Sequence, residues 1–207
     1  RTRTFIAIDL PMATKEEMAR AIESLKKGAL SQAATHRIVW EDPQKLHITL
    51  VFLGRILQEK MERATKALHE ATRNFPGFTL SCGNLSYFLK EKRSPAFSKI
   101  PASAIFLNIL DPEGTLRTFY KNLFKLLAEA GFYPPERLSP HITIARLRGK
   151  HLRANERRGI LSYFADVDIK PVKPFLVSGI NVYESIPSGT STRYHLLKSF
   201  PFRNYKI

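Results

Sequence analysis

The stretch His47-Ile48-Thr49-Leu50-Val51-Phe52-Leu53-Gly54 recurs, nearly letter for letter, as His141-Ile142-Thr143-Ile144-Ala145-Arg146. Alternation of polar and apolar residues has a period of two, so each run reads as a β-strand. In the first copy His47, Thr49 and Val51 share one face, while Ile48, Leu50 and Phe52 share the other. In the second, His141, Thr143 and Ala145 oppose Ile142 and Ile144, and the same alternation puts Arg146 opposite His141. Phe52, on the aliphatic face, is assigned to the core. With 6 histidines and 13 threonines in 207 residues, chance gives about 0.4 His-x-Thr triplets, and about 0.02 once aliphatic residues must flank the threonine. Two copies therefore point to an internal duplication. The approaches agree: Pro43-Gln44-Lys45-Leu46 leads into the first copy and Pro135-Glu136-Arg137-Leu138 into the second, with Ser139-Pro140 inserted.

Outward from the motifs, the chain alternates strands and amphipathic helices. Thr4 to Asp9 reads as a buried strand ended by Pro11. Thr14 and Glu17 have capping-box spacing. Met18, Ala21, Ile22 and Leu25 then form one apolar stripe, stopped at Gly28. Ile38-Val39-Trp40 is a short strand. Gln58 to Arg73 is a second helix, with Met61, Ala64, Leu68 and Ala71 inward. Phe78 to Phe88 and Ala104 to Leu110 are strands flanking a charged crossing that contains Lys90, Lys92 and Arg93. Asp111-Pro112 caps a third helix, which Gly131 ends. Gly149 to Arg158 is a basic loop, with Lys150, Arg153, Arg157 and Arg158. Ile160 to Phe164 reads as a short helix. Phe175 to Ser185 and Thr192 to Ser199 close the chain as two strands. No linker divides it, so residues 1–207 are expected to form a single α+β domain. Its expected form is bilobal: two lobes related by a pseudo-twofold axis, antiparallel-rich sheets facing a central cleft, helices on the outer faces.

Lys and Arg number 33 against 18 Asp and Glu, a formal charge of +15. That excess favours a polyanionic partner, nucleic acid first. Cys82 is the one cysteine, which excludes an internal disulfide or zinc-finger cluster; it is read as a small core residue in a reducing, cytoplasmic setting. No apolar run has the length of a membrane-spanning helix, and the first residues lack a secretory signal pattern.

Two imidazoles on facing strands can serve as acid and base in one turnover near neutral pH. Thr49 and Thr143 lie two residues on, with hydroxyls suited to the non-bridging oxygens of a phosphate. Phosphoryl chemistry needs neutralisation of those oxygens, in-line geometry and a proton transfer at each end. Two His and two Thr supply these without a metal or other cofactor. Zinc ligation is disfavoured because neither motif brings a nearby carboxylate and there is only one thiol. His36, His69, His151 and His195 lack a partner at meaningful spacing.

Paired His-hydrophobic-Thr-hydrophobic motifs, with Phe52-Leu53-Gly54 after the first, resemble the signature of the two-histidine phosphoesterase superfamily. Phe5-Ile6-Ala7-Ile8-Asp9-Leu10-Pro11 and Thr192-Arg193-Tyr194-His195-Leu196-Leu197 are similar to its bacterial and archaeal branch, the RNA 2′,3′-cyclic phosphodiesterases, historically 2′-5′ RNA ligases. The resemblance implies metal-independent hydrolysis of a 2′,3′-cyclic phosphate to a 2′-phosphomonoester. It implies His47 as acid on the departing 3′ oxygen, His141 as base on water, and Thr49 and Thr143 as phosphate holders. Arg146, Arg193, Tyr194 and Phe106 are further candidate substrate contacts. The expected partner is RNA or a nucleotide bearing a 2′,3′-cyclic phosphate, bound by a monomer with no membrane association. Reversible 2′-5′ ligation of tRNA halves, or a weakly catalytic RNA- or nucleotide-binding module, are the alternatives.

Overall fold

The order of strands in the sheet explains why the two motifs meet. The computed structural model describes residues 3–28, 36–87, 104–147, 159–160, 162–164, 167, 169, 172–188 and 191–203. Its elements run β1 (Arg3–Asp9), α1 (Met12–Lys26), β2 (Ile38–Trp40), a 3-10 turn (Pro43–Lys45), β3 (His47–Arg55), α2 (Gln58–Thr72), β4 (Phe78–Tyr87), β5 (Ala104–Leu110), α3 (Thr115–Glu129), β6 (His141–Leu147), β7 (Phe175–Val177), β8 (Gly179–Ser188) and β9 (Ser191–Pro201). The sheet order is β7-β4-β5-β6-β3-β1-β8-β9, with β2 alongside β6, and all the strand pairings are antiparallel. Read outward from the β6/β3 seam, this order is a palindrome of roles. The unit β1-α1-β3 corresponds to β5-α3-β6, and β8 flanks one as β4 flanks the other. The seam itself is the pair Ile48↔Ile142. The fold is thus the α+β architecture expected from the alternating pattern.

The aliphatic faces of both units enter one core. Ile6, Ile8, Ile48, Leu107, Ile142 and Ile144 are buried together with Met18, Ile22, Leu68, Phe119 and Leu123 from the three helices. The helices therefore cover the face of the sheet opposite the two histidines. At about 25 cal/mol per Å² of apolar surface, this packing, rather than local propensity, holds the short strands in register.

Several local expectations change. Helix α1 starts at Met12, ahead of the Thr14–Glu17 box, because the Pro11 carbonyl already accepts from the Lys15 N–H at 3.0 Å. Thr14 is buried in the first turn, and Glu17 instead accepts from the Lys173 backbone N–H at 2.9 Å. Helix α3 begins at Thr115, three residues past the predicted start, after Gly114 at φ 68°. Asp111 still caps it from a distance, its carboxylate accepting from the Leu116 and Arg117 N–H groups at 3.2 and 2.9 Å. The predicted strand from Phe175 to Ser185 is two strands: β7 pairs with β4, and β8 with β1 and β9. They divide at Ser178; at Gly179, the first residue of β8, a Cβ would lie 2.5 Å from the Phe200 carbonyl oxygen, so only glycine fits against β9 there. Among the described residues no helix is long and apolar enough to cross a membrane. The charged crossing with Lys90, Lys92 and Arg93, and the basic loop with Lys150, Arg153, Arg157 and Arg158, lie outside the described residues.

Candidate active site

Each histidine is locked by the backbone two residues before it. His47 Nδ1–H donates to the Lys45 carbonyl at 2.7 Å, and His141 Nδ1–H donates to the Ser139 carbonyl at 2.7 Å. A carbonyl can only accept, so Nδ1 carries the proton in both rings and Nε2 is the atom that gains or loses one. The 3-10 turn delivers the Lys45 carbonyl, and Asp42 caps that turn by accepting from the Gln44 N–H at 3.0 Å. Thr49 Oγ1 lies 3.1 Å from His47 Nε2. The hydroxyl thus reaches back to the imidazole instead of standing about 7 Å further along, as strand rise alone suggests.

The seam sets the relation of the two rings. With Ile48 opposite Ile142, His47 runs on the Thr143 side and Thr49 on the His141 side. In such an antiparallel pair His47 and His141 are diagonal positions, typically about 7–8 Å apart. That spacing suits two groups flanking one phosphate.

A β-bulge follows the threonine in each copy. On β3, Ala7 pairs with Thr49 but Ile6 with Val51, leaving Leu50 as the extra residue. On β6, Phe106 pairs with Thr143 but Ile105 with Ala145, leaving Ile144. An extra residue reverses the alternation beyond it. Val51 and Ala145 accordingly turn into the core, and Phe52 and Arg146 turn out of it. Two expectations are corrected by this. Phe52 is not core: it is 75% exposed, with its ring 6.0 Å from Phe5, which itself packs 5.2 Å from the His47 ring. Arg146 is not directed away from the site: its Nε donates to Glu41 at 2.8 Å, and its charge is felt by both His47 and Tyr194.

Around His47 the walls are aromatic. Tyr194 meets the imidazole edge-on at 5.1 Å, and Phe5 stacks on Tyr183 at 5.6 Å. Arg193, its neighbour on the strand, alternates to the other side and is exposed. Phe106 is 4% exposed and lies 4.9 Å from the His141 ring, so it backs that imidazole instead of presenting a stacking face. Burial pushes the pKa of His47 below its ordinary value. The Lys45 carbonyl and the Asp9 and Glu41 carboxylates oppose that, and Arg146 adds to it. Burial also raises the Tyr194 hydroxyl. Cys82 packs against the core, and burial pushes its thiol up to about 11, which fits the structural reading. His36, His69 and His195, for which no partner is expected, are exposed, and His151 lies outside the described residues. Among the described residues no three His, Cys, Asp or Glu side chains gather as a metal group.

Residues 13–97 match the family described as LigT like Phosphoesterase. Over 200 residues the chain is 28% identical to the RNA 2′,3′-cyclic phosphodiesterase of Thermotoga maritima, covering 97% of this chain and 95% of that one. It is 29% identical to the Escherichia coli protein of the same name over 147 residues, 70% and 71% of the two chains. Among solved structures, E. coli LigT in apo form superposes with a TM-score of 0.68 at 23% identity, covering 97% of each chain. The same protein complexed with 3′-AMP gives 0.69 at 24% identity, covering 98% of each. In its duplicated motif, its fold and its relatives spanning nearly the whole chain, this protein is similar to the LigT-like phosphoesterases.

Proposed function

We propose that the protein is an RNA 2′,3′-cyclic phosphodiesterase in which His47 and His141 are acid and base and Thr49 and Thr143 hold the phosphate. The observation that carries this is the repeated lock: two imidazoles on adjacent strands, each tied at Nδ1 to the carbonyl two residues back. In the reaction, His141 Nε2 takes a proton from water as the water oxygen bonds to phosphorus. The bond from phosphorus to the 3′ oxygen breaks, and His47 Nε2–H gives its proton to that oxygen. One water is consumed, and a 2′-phosphomonoester with a free 3′ hydroxyl results. The two threonine hydroxyls donate to the non-bridging oxygens, and the Arg146 guanidinium offsets their charge.

An acid must hold its proton before it can give it. In the unliganded site burial disfavours the charged His47 ring. The anionic phosphate reverses this, since a negative charge within a few ångströms favours the imidazolium. A nucleotide substrate is in keeping with this reading: solved structures of E. coli LigT are described as complexed with 3′-AMP, NADP+, ATP and phosphate. The exposed ring of Phe52 offers a face for a base next to the phosphate.

The test is product analysis on an oligoribonucleotide ending in 2′,3′-cyclic phosphate, in excess EDTA. A terminal 2′-phosphate is expected. A 3′-phosphate product would overturn the leaving-oxygen assignment, and zinc-restored activity would overturn the metal-free mechanism. No turnover at all would overturn the proposed activity.

A further inference from the structure

The two histidines sit in equivalent frames but face different partners. In the sheet register, the residue directly opposite His47 is Asp9 on β1, and the residue directly opposite His141 is Asn108 on β5. These are corresponding positions, each set in the unit's first strand across from its histidine. Side chains directly opposite in an antiparallel pair have Cβ atoms about 4.5–5.5 Å apart. One imidazole therefore has a carboxylate as its cross-strand neighbour, and the other a neutral amide.

The carboxylate is also clamped. Asp9 Oδ2 accepts from the Tyr183 hydroxyl at 2.6 Å and from Asn181 Nδ2 at 2.9 Å, both side chains reaching over from β8. Asn108 is exposed, with a looser 3.3 Å donation to the Asn84 carbonyl. A half-buried carboxylate held by two donors keeps one position, so its field at His47 is fixed in direction.

Resting on the acid–base reading above, we propose that Asp9 is the positioning residue that tells the two histidines apart. Its fixed carboxylate favours the proton on His47, whereas the corresponding position across from His141 carries the neutral Asn108.

The other groups around His47 do not duplicate this. From the segment after β2 comes Glu41, already paired with Arg146 from β6, so the two charges largely offset each other. Tyr194 from β9 presents a ring, and its raised hydroxyl stays neutral. Tyr183 from β8 likewise stays neutral, raised by burial and by its bond to Asp9. The Lys45 carbonyl acts on Nδ1 and has its twin at Ser139, so it cannot distinguish the rings. Among the described residues, Asp9 is the carboxylate that faces one histidine, is replaced by an amide at the other, and is not held in an ion pair.

The experiment combines a pH–rate profile with direct titration of the histidine rings by NMR. In Asp9→Asn, the descending limb, which reports the acid, moves to lower pH by about one pH unit, costing about tenfold on its alkaline side. The ascending limb stays in place, and kcat falls more than KM rises. The His47 ring titrates lower by a similar amount, read without substrate. Asn108→Asp, which adds a carboxylate beside the other ring, moves the ascending limb and the His141 titration upward; it serves also if Asp9→Asn does not fold. A folded Asp9→Asn with both limbs and the His47 titration unmoved would overturn the inference. Because the NMR reading needs no turnover, absence of cyclic phosphodiesterase activity in the unaltered protein sinks the functional reading alone.

Discussion

The unit β1-α1-β3 and the unit β5-α3-β6 share a plan and differ in what they add to it. Both place a histidine at the start of the inner strand, lock its Nδ1 on a carbonyl, and bulge directly after the threonine. The bulges then turn out a phenyl ring in the first unit and a guanidinium in the second. The cross-strand partner is a carboxylate in the first and an amide in the second. In the proposed site, the shared features fix where a phosphate would sit. The features that differ would, on the proposal above, decide what surrounds it and favour the proton on one ring.

The largest effect should come from the shared features. His47→Ala and His141→Ala are each expected to lower kcat by about 10²–10⁴-fold, with circular dichroism unchanged. The double variant should be little worse than either single one, as for groups acting as a unit. If one single variant kept near-normal turnover of a cyclic phosphate terminus, the equivalence of the two units would be broken.

The differing residues should separate by substrate. Arg146→Ala should raise KM for every cyclic phosphate, by a factor that shrinks as salt rises, because salt screens the guanidinium–phosphate contact in the unaltered protein. Phe52→Ala should weaken binding by about tenfold for nucleoside cyclic phosphates and leave ribose cyclic phosphate nearly unchanged, in line with the 1–3 kcal/mol of a base–aromatic stack. Equal losses on both substrates would remove the distinction drawn between the two turned-out residues.

The smallest effect concerns stability. The folded pKa of His47 is depressed below the ordinary 6.5, chiefly by burial. Between 6.5 and that lower value the unfolded chain binds a proton that the folded one does not. Stability from this group is therefore whole above pH 6.5 and declines as pH falls through that window. Urea midpoints at pH 7.5 and 5.5 should drop further for the unaltered protein than for His47→Asn. Equal drops would place His47 on the same footing as an exposed histidine.

The motifs were legible because they depend only on local pattern. An aliphatic residue on either side of His-x-Thr specifies a half-buried strand, and duplication specifies a partner. The helices were legible from their stripes, as Met18, Ala21, Ile22 and Leu25 on α1 show. What alternation could not give was its own interruption. Leu50 and Ile144 look like ordinary inward residues, and only pairing with β1 and β5 reveals that each is one too many. The recurrence of Leu50-Val51 as Ile144-Ala145, two apolar residues in a row after each threonine, was the signal available for it. The Thr14 box misled for a similar reason: the Pro11 carbonyl had already begun the helix. Asp9 was visible as a strand-ending residue, but its tie to Tyr183 spans 174 positions and is set only by the fold.

The seam at Ile48↔Ile142 carries one more implication. A 2′,3′-cyclic phosphate offers two nearly equivalent oxygens to expel, and a backbone frame with twofold character offers two nearly equivalent ways to receive it. Neither the ring nor the scaffold alone dictates regiochemistry. That choice falls to a handful of side chains mounted on a symmetric frame, so it can be rewritten, or reversed, without altering the fold.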